Sequence, residues 1–319
     1  MIKKLLPLAV LLLLLLPNPE ATAATEWNEA VTVYGAALEN DAQLQDATRE
    51  LLGTSDDDKV AYVYSEDVNQ YIGMNYSNDV LKSSIRIIQE DEGYGLDITV
   101  DESMGEITQI TEETYKNALL TSGITDAQVV IGAAQDVTGE SALAGIYKAY
   151  EEQGEAIDTE RTQNAQEELG TITDITEENS AVEGFSQEQL NKMITDIKIE
   201  VINQGGNLSE SEIRDIVDEQ MAANGLDGIL TQDQIDRIID LIRQIQNSGL
   251  FQSEEAQALK DSAQNLIDQI TSSDSFKNAV DQAESLGQEI TESNAWDTFK
   301  TAVSNFFDRV ISFFRSLFN

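Results

Sequence analysis

Between residues 139 and 148 the chain places Gly139-Glu140-Ser141 and then Lys148, a hydroxyl and an amine of the kind that Ser-Lys acyl transfer uses. The strand-like run Val129-Val130-Ile131 precedes them and a helix-like run follows, the setting of a nucleophile elbow. That elbow needs glycine two places beyond the serine, where Leu143 stands. The chain has no histidine and no cysteine. It therefore builds no Ser-His-Asp triad, thiolate nucleophile, disulfide, imidazole metal site or cysteine zinc site. The plainer reading is a helix start capped by Thr138 or Ser141. No residue is assigned a catalytic, cofactor-binding or metal-binding role.

Carboxylates are the abundant tool. Fifty-nine Asp and Glu against nineteen Lys and Arg give a formal charge of −40, which opposes nucleic-acid binding because phosphate contacts rely on clustered basic residues. The acids gather at Asp56-Asp57-Asp58, Glu90-Asp91-Glu92, Glu151-Glu152, Glu167-Glu168 and Glu177-Glu178. Hard oxygen ligands of this kind suit weak divalent-cation binding. Yet no segment carries a complete EF-hand loop, and Asn224-Gly225-Leu226-Asp227-Gly228 puts leucine where a ligand belongs. Two carboxylates flanking a sugar would also serve glycoside hydrolysis, which makes a wall or polysaccharide hydrolase the rival functional reading.

A third feature is the C-terminal stretch 292–319. It holds six of the nine phenylalanines, and Trp296, Phe299, Phe306, Phe307, Phe313, Phe314 and Phe318 are joined there by Lys300, Arg309 and Arg315. Trp296, Phe299, Val303, Phe306, Phe307, Val310, Phe314 and Leu317 fall at helical spacing, with Asn294 as N-cap. An amphipathic helix of this type contacts a membrane surface, a protein partner or the protein's own core. Its charges interrupt it too often for a bilayer span.

These features need elements to position them. Lys3-Lys4, an apolar run to Leu16 and Ala21-Thr22-Ala23 read as a signal peptide over 1–23, too short to span a membrane. From 24 to 169 the pattern predicts a mixed α+β or α/β domain. Its strands lie near Val60–Tyr64, Ile85–Ile88, Leu96–Val100 and Val129–Ile131, and its helices over Asp41–Leu52, Thr111–Ser122 and Ser141–Gln153. Residues 170–185 read as an acidic linker. Residues 186–291 read as a mainly helical domain. Ser186/Gln189, Ser209/Glu212 and Thr231/Gln234 have capping-box spacing there, and Leu190, Met193, Ile194, Ile197 and Val201 form an apolar stripe.

The blocks Val31–Asn40, Ile107–Leu119 and above all Ala118–Glu152 occur in an order that resembles the YpuA-like proteins, secreted proteins of Gram-positive bacteria carrying a domain of unknown function. The likeness runs from about Val31 to about Ile290. One departure is Asp136 before Val137-Thr138-Gly139, where the family commonly has proline. The resemblance implies export and this organisation, and it brings no catalytic residues or cofactor.

The expectation is thus a secreted or envelope-associated protein, a non-enzymatic binding module whose C-terminal helix makes the contact. Charge is unevenly spread: seven basic face thirty-five acidic residues over 24–185, while the tail from 292 is balanced. Adaptation to a salty environment is a second source for such acidity.

Overall fold

The computed structural model describes Trp27 and residues 29–277. The signal-peptide stretch and the aromatic C-terminal stretch, with all of its named contact residues, lie outside them.

Five strands form one mixed sheet: β1 (Val31–Gly35), β2 (Lys59–Val63), β3 (Ser84–Gln89), β4 (Leu96–Asp101) and β5 (Ala127–Gly132), in the order β2-β1-β3-β5-β4. β1 runs parallel to β2 and antiparallel to β3, β3 antiparallel to β5, and β5 parallel to β4. Helices interleave as α1 (Ala42–Leu51), α2 (Ser65–Ile72), α3 (Glu112–Ser122) and α4 (Glu140–Glu152). The mixed sheet with interleaved helices is the N-terminal architecture expected from the sequence.

Each strand is rich in β-branched and aromatic residues, and alternation sorts them between two faces. Val31 and Val33 join the main core, whereas Tyr34 turns to a small second cluster with Leu38 and Leu52. α4 lies close on the main face: a Cβ at Gly145 would sit 3.4 Å from Ile85 and 3.7 Å from Val33. α1, capped by the Asp41 carboxylate accepting from Leu44 N–H at 3.0 Å, covers the other face. Leu51 packs there so closely that a Cβ at Gly132 would meet it at 2.5 Å.

The helical part follows as α5 (Thr159–Asn179), α6 (Gln187–Asn203), α7 (Glu210–Ala223), α8 (Gln232–Asn247) and α9 (Ala256–Ser272). Ser209/Glu212 and Thr231/Gln234 form full capping boxes, and the Ser186 hydroxyl accepts from Gln189 N–H. Residues 170–179, expected within an acidic linker, are instead the second half of α5; only about Ser180–Ser186 connects it to α6. The sequence hides this helix because its inner face is polar as well as apolar: Asn164, Gln166, Glu168 and Thr173 are buried beside Leu169, Ile172 and Ile175. One hydrophobic core runs from Val31 to Ile270, through sheet and helices alike.

Candidate functional site

The predicted helix start at 139–141 exists, but its hydroxyls do not cap it. Gly139 is the N-cap of α4, with φ +114°, and no side chain caps there. Thr138 Oγ1 donates to the Glu140 carboxylate. Ser141 is buried, paired with the Ser83 hydroxyl and donating to the Ser83 carbonyl. Lys148, two helical turns and about 10 Å further along α4, binds Asp67, Glu151 and Glu152 instead. Serine and lysine are therefore not a catalytic pair.

The acidic clusters also resolve differently from a uniform solvated coat. In most of them one member reaches to another element. Asp58 receives Arg86 through both carboxylate oxygens, at 2.7 and 3.2 Å, together with the Thr32 hydroxyl. Glu151 accepts from Tyr71 Oη at 2.5 Å, Glu178 pairs with Arg237 at 2.5 Å, and Glu168 is wholly buried. The Asn224–Gly228 turn directs Leu226 into the core, and the Asn224 amide donates to Asp196 at 2.9 Å. Among the described residues no group of three or more acids is arranged to hold a metal ion.

The deepest polar structure joins α3, α5 and α6. Lys198 Nζ lies 2.5 Å from Glu168 Oε1 with neither side chain exposed. It also donates to the Asn117 carbonyl at 2.9 Å and to Asn117 Oδ1 at 3.3 Å. The second Glu168 oxygen accepts from Thr121. Asn117 extends the network to Asn191 and Thr195, and Asn191 reaches Thr114. A second pair, Lys192–Asp196 at 2.7 Å, lies on α6 toward Asn224. Burial pushes the Glu168 carboxyl up and the Lys198 ammonium down, each against the pull of the other charge. Over Gln189 to Lys198, α6 is consequently buried on every side, not only along its apolar stripe.

Among the described residues an open cleft of about 740 Å³ lies between the segment before β1, the β3–β4 turn, the end of α4 and the start of α9. Trp27, Ile124 and Tyr150 supply apolar surface; Glu90, Asp91, Glu92, Asp126, Glu155 and Glu255 supply carboxylates; none of its lining residues is basic. Trp27 Nε1 donates to Glu155 at 2.9 Å while its ring meets Tyr150 edge-on at 4.9 Å. Asp126 Oδ1 accepts from the backbone of Gly93 and Gly95 at 2.9 and 2.8 Å and so shapes the β3–β4 turn. Glu255 pairs with Arg161 at 2.5 Å. A glycosidase acid must be shielded to keep its proton near neutral pH. Here Asp91, Glu92 and Glu255 are exposed and the other three half-buried, while the shielded carboxyls Glu168, Asp196 and Asp58 each lie against a lysine or arginine elsewhere. Neither the cleft nor the network was legible in the sequence, since their members come from distant segments.

Among the described residues no helix is long and apolar enough to cross a membrane. No solved structure matches the chain. It is 29% identical over 279 residues to an uncharacterized protein, YpuA, of Bacillus subtilis (strain 168), a match covering 85% of this chain and 90% of that protein. Residues 34–266 match the model of a family described as protein of unknown function, DUF1002. That match takes in β2 to β5 and the end of β1, the buried Glu168–Lys198 network and most of α9, so the chain belongs to the DUF1002 family.

Proposed function

We propose that this is an exported binding protein of the bacterial envelope or exterior, with a folded body over residues 27–277 and a contact helix beyond it. The observation that carries the reading is how the fold disposes of its ionisable groups. The buried carboxylates Glu168 and Asp196 each face a lysine. Around the cleft, Asp126 and Glu255 serve turns and ion pairs, and Glu155 holds Trp27. Such an arrangement supports a rigid scaffold better than proton transfer to a substrate.

The leader-like residues 1–23 support export. The body's strong negative charge repels anionic surfaces. The contact role therefore falls to the charge-balanced 292–319 stretch, with Trp296, Phe299, Phe306, Phe307, Phe313, Phe314 and Phe318 entering an apolar phase and Lys300, Arg309 and Arg315 meeting anionic headgroups or an acidic partner.

The protein has only two tryptophans, so a Trp27→Phe variant leaves Trp296 as sole reporter. Its emission shifts to the blue on vesicles containing anionic lipid if the tail engages them. Deletion of 292–319 abolishes co-sedimentation with vesicles and redistributes the protein on cell fractionation. Unchanged binding and distribution overturn the contact role, and release of reducing sugar from purified wall polymers by the mature chain overturns the non-catalytic reading.

A further inference from the structure

The cleft beside Trp27 combines carboxylates with aromatic rings and has no basic lining residue. Its floor holds a polar group that the fold leaves unused. We propose that the cleft binds a small aliphatic polyamine, one ammonium seated at the Tyr150 hydroxyl and a second at the Glu90–Glu92 rim. The proposal gives the folded body a ligand of its own and depends on neither export nor the C-terminal contact.

The floor carries the argument. Tyr150 is only 6% exposed, and it lines the cleft. Among the described residues its hydroxyl has no hydrogen-bond partner. It is nevertheless open, whereas the Tyr147 hydroxyl one turn earlier on α4 is sealed from solvent. A phenol buried this far normally finds a partner. Burial, then the facing charges of Glu155 and Asp126, push the Tyr150 pKa up. The group therefore stays a neutral hydroxyl whose oxygen accepts from an ammonium. Both facing carboxylates are anchored, Glu155 by Trp27 and Asp126 by the Gly93 and Gly95 N–H groups.

The walls decide the class of cation. Trp27 and Tyr150 offer aromatic surface, and Ile124 and Ala258 add apolar surface. Magnesium and calcium seek oxygen ligands and gain nothing from such groups. An alkylammonium is attracted to an aromatic face and packs its methylenes beside it. Arg161 on α5 offsets Glu255, which leaves Glu90, Asp91 and Glu92 on the β3–β4 turn as the second anionic pole. A volume of about 740 Å³ suits a small ligand, and only a slender chain reaches a hydroxyl so deeply set.

Isothermal titration calorimetry of the purified chain with spermidine tests this in about 0.15 M salt, where loose attraction to an acidic surface is screened. One saturable site is expected. Tyr150→Phe keeps the ring against Trp27, loses one hydroxyl and weakens binding about five-fold. Glu90→Gln/Glu92→Gln weakens it about ten-fold or more. Asp57→Asn/Glu183→Gln, which neutralises two exposed acids outside the cleft, leaves it unchanged. Urea midpoints check that each variant is folded. Absence of a saturable site, an unaltered affinity in Tyr150→Phe, or equal losses in the two carboxylate pairs overturns the proposal. Displacement of spermidine by an equal concentration of magnesium chloride overturns it in favour of a metal. Nα-acetyl-lysine amide binding as tightly as spermidine overturns it in favour of a lysine side chain from a protein.

Discussion

Lys198 Nζ and Glu168 Oε1 meet at 2.5 Å across the α5–α6 interface, and solvent reaches neither side chain. Breaking such a pair leaves an uncompensated buried charge, so Lys198→Met costs about 3–5 kcal/mol. Glu168→Gln/Lys198→Met recovers most of that loss, because amide and thioether need no counter-charge while Thr121 keeps its acceptor. Urea unfolding of the two variants measures the difference. A double variant no more stable than the single one contradicts it.

The same pair predicts a pH signature. In Lys198→Met the Glu168 carboxyl is raised by burial with no cation to hold it down. A group whose native pKa exceeds its unfolded value of about 4.3 stabilises in acid and loses that contribution as pH rises through the native value. The stability deficit of Lys198→Met therefore shrinks as the pH is lowered from about 8 to 5. A pH-independent deficit over that range is the contrary result.

Asn117 is the hub that orients this pair, with bonds to Lys198, Asn191 and Thr195. Asn117→Leu strands several buried partners at once and costs about 3 kcal/mol or more, against about 1 kcal/mol for Thr195→Val, which removes a single hydroxyl. Equal thermal-melt shifts for the two would refute the hub.

Gly139 tests the turn into α4. Its φ is +114°, and a Cβ there would lie 2.5 Å from Tyr115 Oη, the group that donates to the Gly139 carbonyl at 2.8 Å. Gly53 has φ +63° with nothing within 4 Å of such a Cβ. Gly53→Ala carries backbone strain of about 1 kcal/mol, and Gly139→Ala exceeds it by about 2 kcal/mol through the added clash. Differential scanning calorimetry ranks them.

Tyr71 and Lys148 hold the Glu151 carboxyl below the ordinary range, the phenol bond first among the causes. A depressed native pKa contributes stability above the unfolded value and loses it as pH falls through the native one. Tyr71→Phe therefore moves the Glu151 titration up toward its ordinary value and flattens the acid limb of stability. Carboxyl NMR titration checks the first, and urea midpoints against pH check the second.

How far the sequence could be read follows from where its side chains point. Val60, Ile85 and Val129 announce strands because β-branched and aromatic residues run together there, and Leu96 to Val100 because apolar and polar residues alternate; all four strands are present. Ser209 with Glu212 announces a helix start for local reasons, and it too is present. β1 lies within a family-like block but carries no half-buried strand pattern, since all five of its residues are buried. α2 is short, and α5 has buried polar residues that break the apolar period. Glu168 and Lys198 stand in different helices, and nothing in their spacing marks them as partners.

The unbroken course of α5 through Gly170 has a practical corollary for dissecting the gene. A truncation at residue 169 ends in mid-helix and leaves Glu168 without its lysine, while the complementary piece inherits Lys198 without its carboxylate. Both halves would carry an unneutralised interior charge and a sheared core. Expression, crystallisation or swapping experiments should treat the span from β1 to α9 as one indivisible cassette, with freedom to cut only outside it.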